Sequence, residues 1–134
     1  MLSITKKGDY GLMLMTALTQ AKPHYFISLK RIAQEYHLPY KFLGQIALEL
    51  KRKQLILSKE GLGGGYQLAR PPKHITVGEV LEQLEGPVAP VSCLKGHICP
   101  VEEHCRHQTV MTKLAKVVNR TLSGITLADI AGQK

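Results

Sequence analysis

The chain has 134 residues and a mass of 14.8 kDa, 44% of it hydrophobic and 21% charged, a composition that supports one globular domain. Net charge is +8, and residues 1–70 hold eleven basic side chains against four acidic ones, an imbalance that suits a polyanion such as nucleic acid or a solvated basic face. No apolar run is long enough to cross a bilayer, and the N-terminal MLSITKKGDYG lacks the basic–apolar–small order of a signal peptide, so a cytosolic protein is expected.

Leu12, Met13, Leu14, Met15, Ala17 and Leu18 fall in a proline-free stretch, which predicts a mostly buried first helix over residues 5–21 that ends before Pro23. Ser28 is a plausible N-cap for a short second helix reaching about Glu35. His37 and Leu38 then make a tight turn, and Pro39 fits the first position of a third helix. In that helix Leu43, Ile46, Ala47 and Leu50 recur at three and four residues, a stripe that must face a core. Its opposite side shows Tyr40, Lys41, Gly44, Gln45, Lys51 and Arg52. Two helices joined by a short turn, the second polar and basic outside, predict a helix-turn-helix.

Leu55–Lys59 reads as a short strand, followed by Gly61, Gly63, Gly64 and Gly65 and a second strand over Tyr66–Arg70. The glycines permit positive φ and leave the backbone uncovered, as a hairpin tip needs. A phosphate-cradling loop is not expected, because no Gly-Lys-Ser/Thr follows and the next element is a strand. The fold class is therefore mainly α with a small β-wing: a winged helix-turn-helix. Beyond Pro71-Pro72, Thr76 and Glu79 form a capping box for a fourth helix with Val80, Leu81 and Leu84 inward. Gly86, Pro87 and Pro90 open an irregular segment. From about Glu102 the pattern is helical again, with Met111, Leu114, Val118 and Leu122 in line and Val110 and Val117 widening the stripe. So long a stripe, remote from a small N-terminal core, predicts a dimerisation helix that meets a second copy of itself. Thr126 and Asp129 cap a last turn. The expected organisation is a DNA-binding winged helix over 1–85, a cysteine segment over 86–105, and a dimerisation helix with its C-terminal turn over 106–134.

The three cysteines, Cys93, Cys99 and Cys105, are spaced x5 and x5. An odd, clustered set in a cytosolic chain points to metal or redox chemistry rather than a structural disulfide. Three thiolates in a Gly/Pro-bearing loop suit a soft metal centre with a fourth ligand from elsewhere. Zinc sites favour Cys-x2-Cys pairs, yet His97, His104 and His107 keep a three-cysteine, one-histidine zinc site open. Three unliganded thiols are the plainer alternative. A cysteine nucleophile with a histidine base lacks the βα architecture that builds a pocket, so no small-molecule substrate and no enzymatic activity are expected.

These residues resemble the IscR, NsrR and RirA group of iron–sulfur winged-helix transcription regulators, over essentially the whole chain. The resemblance is carried by Gly8-Asp9-Tyr10-Gly11-Leu12, by Gly63-Gly64-Gly65-Tyr66-Gln67-Leu68, by Ile75–Val80, by the cysteine triplet and by Ile125–Ile130. It implies a homodimeric regulator, a repressor or dual regulator, whose iron–sulfur cluster (2Fe–2S or 4Fe–4S) gates binding to double-stranded operator DNA in response to iron–sulfur status, nitric oxide or redox state. Cys93, Cys99 and Cys105 match the cluster ligands. IscR-like members place a histidine three residues after the last cysteine, where this chain has Gln108, with His107 one residue short. NsrR-like members use an aspartate in the first helix, supplied by the other subunit, and Asp9 holds that place; Asp9 or His107 is thus the candidate fourth ligand. The group reads the major groove with the positions of Tyr40, Lys41, Gly44 and Gln45. It commonly sends an arginine before the wing glycines into the minor groove. Here that residue is Glu60, which shifts the expected wing contact to Lys59, Gly63 and Gly64. A regulator of the same fold with bound zinc or a thiol switch is the alternative.

Overall fold

The computed structural model describes residues 3–89 and 100–132. Among these residues, six α-helices and one β-hairpin follow in the order α1 (Lys6–Thr19), α2 (Leu29–Tyr36), α3 (Tyr40–Arg52), β1 (Ile56–Lys59), β2 (Gly65–Leu68), α4 (Val77–Glu85), α5 (Gln108–Ser123) and α6 (Leu127–Ala131). Among these residues no helix is long and apolar enough to cross a membrane.

Local chemistry explains the helix ends. The Thr5 hydroxyl accepts the Gly8 N–H at the start of α1, and Ser28 accepts the Arg31 N–H at the start of α2. His37, at φ 55°, adopts the left-handed conformation that closes α2 and turns the chain toward α3. Pro39 is the N-cap of α3 rather than its first helical residue, and its carbonyl accepts from Leu43 N–H at 2.9 Å. Only half of the expected box forms on α4. Thr76 accepts the Glu79 N–H, but the Glu79 carboxylate turns to Arg70 at 2.5 Å. The complete box is at α6, between Thr126 and Asp129. Helix α5 starts later than the periodicity suggested, at Gln108, because Glu102–His104 winds as a 3-10 turn.

One core holds these elements together. Leu14, Met15 and Leu18 of α1, Ile32 of α2, Leu43, Ile46 and Leu50 of α3, Leu55 and Ile56 at the start of the hairpin, Ile75, Val80 and Leu84 of α4, and Leu127 of α6 are all buried in it. Each such leucine or isoleucine stabilises the fold by about 1.5–3 kcal/mol relative to an exposed position. Gly11 lets α1 lie against Leu84 of α4; an added Cβ there would run into the Leu84 side chain. Gly78 does the same between α4 and α5, since a Cβ would stand 3.1 Å from Ser123 N and 3.2 Å from the Leu122 carbonyl carbon.

The hairpin is antiparallel, with Ile56 opposite Leu68 and Lys59 opposite Gly65. Ile27 adds a third, single-residue rung: it exchanges hydrogen bonds of 2.9 and 2.8 Å with Tyr66. A second backbone tie joins the ends of the chain's second half. Val77 N–H donates to Ile125 O at 2.8 Å and Leu127 N–H to Ile75 O at 2.9 Å, so the chain after α5 returns to the start of α4.

Candidate nucleic-acid interface and cysteine segment

Helix α3 presents two clean faces. Leu43, Ile46, Ala47 and Leu50 are buried, as their spacing requires, and Lys41, Gln45 and Arg52 are exposed on the opposite side. Tyr40 is 57% exposed at the first turn. Gly44 is half-buried, but a Cβ there would meet nothing within 4 Å, so the helix backbone itself is open at that point. All four proposed base-reading residues thus share one accessible surface. It also holds Leu48, 47% exposed. Leu48 follows Lys41 by seven residues and Gln45 by three, a spacing that was available in the sequence and identifies a fifth residue of the face. An exposed leucine there offers an apolar contact of the kind a thymine methyl accepts.

Cations surround this face unequally. Lys7 of α1 is engaged with Glu49 on the flank of α3 at 2.7 Å, and Arg70 with Glu79, so these two are held by the protein itself. Lys30 and Arg31 of α2 and Lys41 and Arg52 of α3 are exposed, and among the described residues they form no ion pair. On the wing, Lys59 Nζ lies 5.8 Å from the centroid of the Phe26 ring, a cation–π arrangement. One backbone hydrogen bond closes the tip: Gly64 N–H donates to Gly61 O at 3.0 Å, with Gly63 at φ 72°. Gly63 is exposed and Gly64 half-buried.

The cysteine segment leaves α4 at Glu85, whose carboxylate oxygen accepts from Thr5 N–H at 2.6 Å and from the Thr5 hydroxyl. The start of α1, where exposed Asp9 lies in the first turn, is therefore fastened to the residue from which that segment departs. Cys93 and Cys99 lie outside the described residues, as does His97. Cys105 is half-buried, and its Sγ lies 3.8 Å from Nδ1 and 4.0 Å from Nε2 of His107. His107 is the N-cap of α5 without a capping hydrogen bond from its side chain, which leaves the imidazole for other partners. Among the described residues no three Asp, Glu, His or Cys side chains converge on one point. The donor chemistry, thiolates with an imidazole or carboxylate, fits iron–sulfur or zinc ligation.

Helix α5 exposes only the edge of the expected stripe: Met111, Leu114, Val118 and Leu122 are half-buried. Ala115 is its one buried residue, while Val110 and Val117 are each 58% exposed. Val118 and Leu122 face the other way and, with Leu81, Ile4 and Val88, line a cleft between α4, α5 and the start of α1.

The family model for Rrf2, an iron-dependent transcriptional regulator, matches residues 4–133. The HTH-type transcriptional regulator CymR of Bacillus subtilis is 33% identical over 130 residues, spanning 97% of this chain and 90% of the relative. A solved structure of CymR, described as the global cysteine regulator of B. subtilis, matches with a TM-score of 0.82 and 34% identity, over 98% of this chain and 97% of that one. The structure of T. potens IscR matches with a TM-score of 0.76 and 33% identity, over 96% and 85% of the two chains. The HTH-type transcriptional regulator NsrR of Shouchella clausii is 29% identical over 131 residues, spanning 96% of this chain and 88% of the relative.

Proposed function

The chain belongs to the Rrf2 family of transcriptional regulators, and from that premise we propose that it is a cytoplasmic, homodimeric repressor whose hold on a two-fold operator is set by an iron–sulfur cluster on Cys93, Cys99 and Cys105. The family consists of regulators rather than enzymes. The observation that carries the finer reading is the cysteine triplet at x5–x5 spacing, placed between the end of α4 and the start of α5. When bound, a cluster supplies a redox-active and labile iron centre whose loss or modification changes which thiolates are tied together.

In this reading α5 pairs with its copy through Val110 and Val117, and the dimer sets the separation of two α3 helices. Successive major-groove half-sites on one side of a duplex lie about 34 Å apart, so operator fit depends on that separation. Tyr40, Lys41, Gly44, Gln45 and Leu48 read the major groove, and Gln45 is suited to a bidentate contact with adenine. Lys59, Gly63 and Gly64 bring the wing to the neighbouring backbone or minor groove. His107 is supported as fourth ligand by its position beside Cys105, and Asp9 by its place at the fastened start of α1.

The test is an absorption spectrum of the full chain purified without oxygen, with iron, sulfide and zinc assayed on the same sample. Visible charge-transfer bands with matching iron and sulfide are expected, and they are lost in the Cys93→Ala/Cys99→Ala/Cys105→Ala variant. His107→Ala and Asp9→Ala then separate the two fourth ligands by which one shifts the bands. A colourless protein that takes up no cluster on reconstitution overturns the cluster. The second reading, a zinc or thiol-switch regulator, is favoured by one distance: 3.8 Å between Cys105 Sγ and a His107 nitrogen is close to the ~3.5 Å separation of sulfur and nitrogen ligands on one tetrahedral zinc. Stoichiometric zinc in a colourless protein establishes it.

A further inference from the structure

Leu62, at the tip of the wing, has a relative exposure of 102%, the largest among the exposed hydrophobic side chains described. It occupies the first corner of the turn that runs from Gly61 to Gly64, and Gly63 at φ 72° occupies the second. Neither flanking glycine has anything within 4 Å of where a Cβ would stand, so the leucine projects on a bare stalk. The stalk is nonetheless stiff. A Cβ on Gly64 would collide with the Lys59 and Gly61 carbonyls, and one on Gly65 with the Ile27 backbone; the wing base is hydrogen-bonded to Ile27 on its far side. A single exposed leucine is ordinary by itself, but this one makes no intramolecular contact and stands on a stiff turn at the end of the wing, where it is the apolar group that meets whatever the tip approaches.

Charge at the tip adds little to that contact beyond what Lys59 offers a phosphate. The two ionised side chains leading into the tip, Lys59 and Glu60, are both exposed and cancel, and Lys59 is drawn back over Phe26. A wing that reaches a minor groove with no net charge gains little from the groove's negative potential. Apolar side chains offer the other route, by inserting between base steps and unstacking them.

We propose that Leu62 is a minor-groove wedge that enters operator DNA beside each half-site and fixes where the duplex bends. This rests on the DNA-binding reading and adds a residue that determines specificity through deformability: flexible pyrimidine–purine steps accept the wedge at lower cost than stiff A-tracts.

The test uses the full chain and a duplex of roughly 30 base pairs, enough for two half-sites, selected by the wild-type protein from a randomised pool. Leu62→Ala is expected to lower affinity for that duplex by roughly ten-fold, the loss of one well-buried apolar contact. The slope of affinity against salt stays unchanged, because no phosphate contact is removed. A 2-aminopurine placed at the contacted step brightens with the wild type and not with Leu62→Ala, and the bend measured by energy transfer between the duplex ends shrinks. The variant makes no intramolecular contact to lose, so its melting temperature serves as the control for folding. Affinity within two-fold of wild type with 2-aminopurine unchanged overturns the wedge. So does an unaltered DNA affinity with a changed oligomeric state, which would assign Leu62 to a protein contact. If the wild type selects no sequence from the pool, DNA recognition itself fails, and the wedge with it.

Discussion

Replacing Glu85 by alanine removes the shared acceptor of the Thr5 N–H and Thr5 hydroxyl and takes a negative charge away from the N-terminus of α1. Hydrogen bonds to charged groups contribute about 1.5–3 kcal/mol each when water is excluded. Glu85 is half-buried and Thr5 exposed, so water takes over much of that role once the carboxylate is gone. A carboxylate near a helix N-terminus adds about 0.3–1 kcal/mol. Together these give an expected loss of about 1–2 kcal/mol, or a melting temperature lower by roughly 5 °C for a chain of this size. Glu85→Gln keeps one acceptor oxygen and loses the charge, so it should fall between. The measurement is urea and thermal unfolding followed by circular dichroism at one fixed protein concentration, because a dimer's melting temperature depends on it. A double-mutant cycle with Thr5→Ala isolates the pair, with an expected coupling of about 0.5–1 kcal/mol. If Glu85→Ala unfolds within ~0.5 kcal/mol of wild type, the fastening of α1 to α4 through this carboxylate is refuted.

Gly65→Ala places a methyl group against the Ile27 backbone at a φ of 142° that L-residues rarely adopt; a loss of about 1–3 kcal/mol in urea unfolding is expected, with weaker DNA binding and an unchanged dimer. Asp129 is held below its ordinary pKa first by the Thr126 backbone N–H and then by the Thr126 side chain. Its stabilising contribution is therefore present above the ordinary carboxylate range and disappears as pH falls through the lowered value. Carboxyl-carbon NMR should show a depressed midpoint, and the stability gap between wild type and Asp129→Asn should close on acidification; a midpoint at or above that of a free aspartate contradicts this. Operator affinity should fall steeply with salt, and Lys30→Ala/Arg31→Ala should flatten the slope of log K against log salt by roughly two units if both cations meet phosphates. An unchanged slope removes α2 from the backbone-contacting surface.

The helix-turn-helix was legible because its signals are local. Ser28 and Thr76 are caps whose side chains bond three residues ahead, and the Leu43–Ile46–Ala47–Leu50 stripe fixes which side of α3 faces water. The wing was legible because Gly61 and Gly63 take positive φ and the close approach at Gly65 tolerates no side chain. What the sequence hid was decided between distant residues. The spacing of Thr76 and Glu79 promises a capping box, but Arg70, nine residues upstream, draws the glutamate away. The pairing of residues 75–77 with 125–127 carries no periodic signal, and neither does the contact between Glu85 and Thr5, eighty residues apart. Leu48 is ambiguous in the sequence alone: its spacing from Lys41 and Gln45 puts it on the polar face, its apolar side chain suits the core, and its 47% exposure beside buried Ala47 and Leu50 decides between them.

Under the proposed cluster switch, these hidden contacts would set how the cysteine segment communicates with α3. Both ends of residues 86–105 lead back to α4. One end is covalent, at Glu85, and the other runs through α5, whose Leu122 and Ser123 lie against Gly78. On that proposal, a change of cluster state that altered the path between those ends would turn α5 against α4 or pull on Glu85. The first motion would move the proposed dimer seam relative to the winged helix. The second acts on Thr5 and hence on α1, which holds α3 through the edge-on Tyr10–Phe42 pair at 5.7 Å, the Lys7–Glu49 ion pair and the shared Leu14–Ile46 core. Because that core is close-packed, α1 and α3 move together rather than deforming, so either motion reaches the recognition helix as a rigid-body shift. In the proposed dimer, an operator read by two α3 helices at a fixed spacing would respond to such a shift in both half-sites at once, so that a small change in one segment would have a disproportionate effect on affinity.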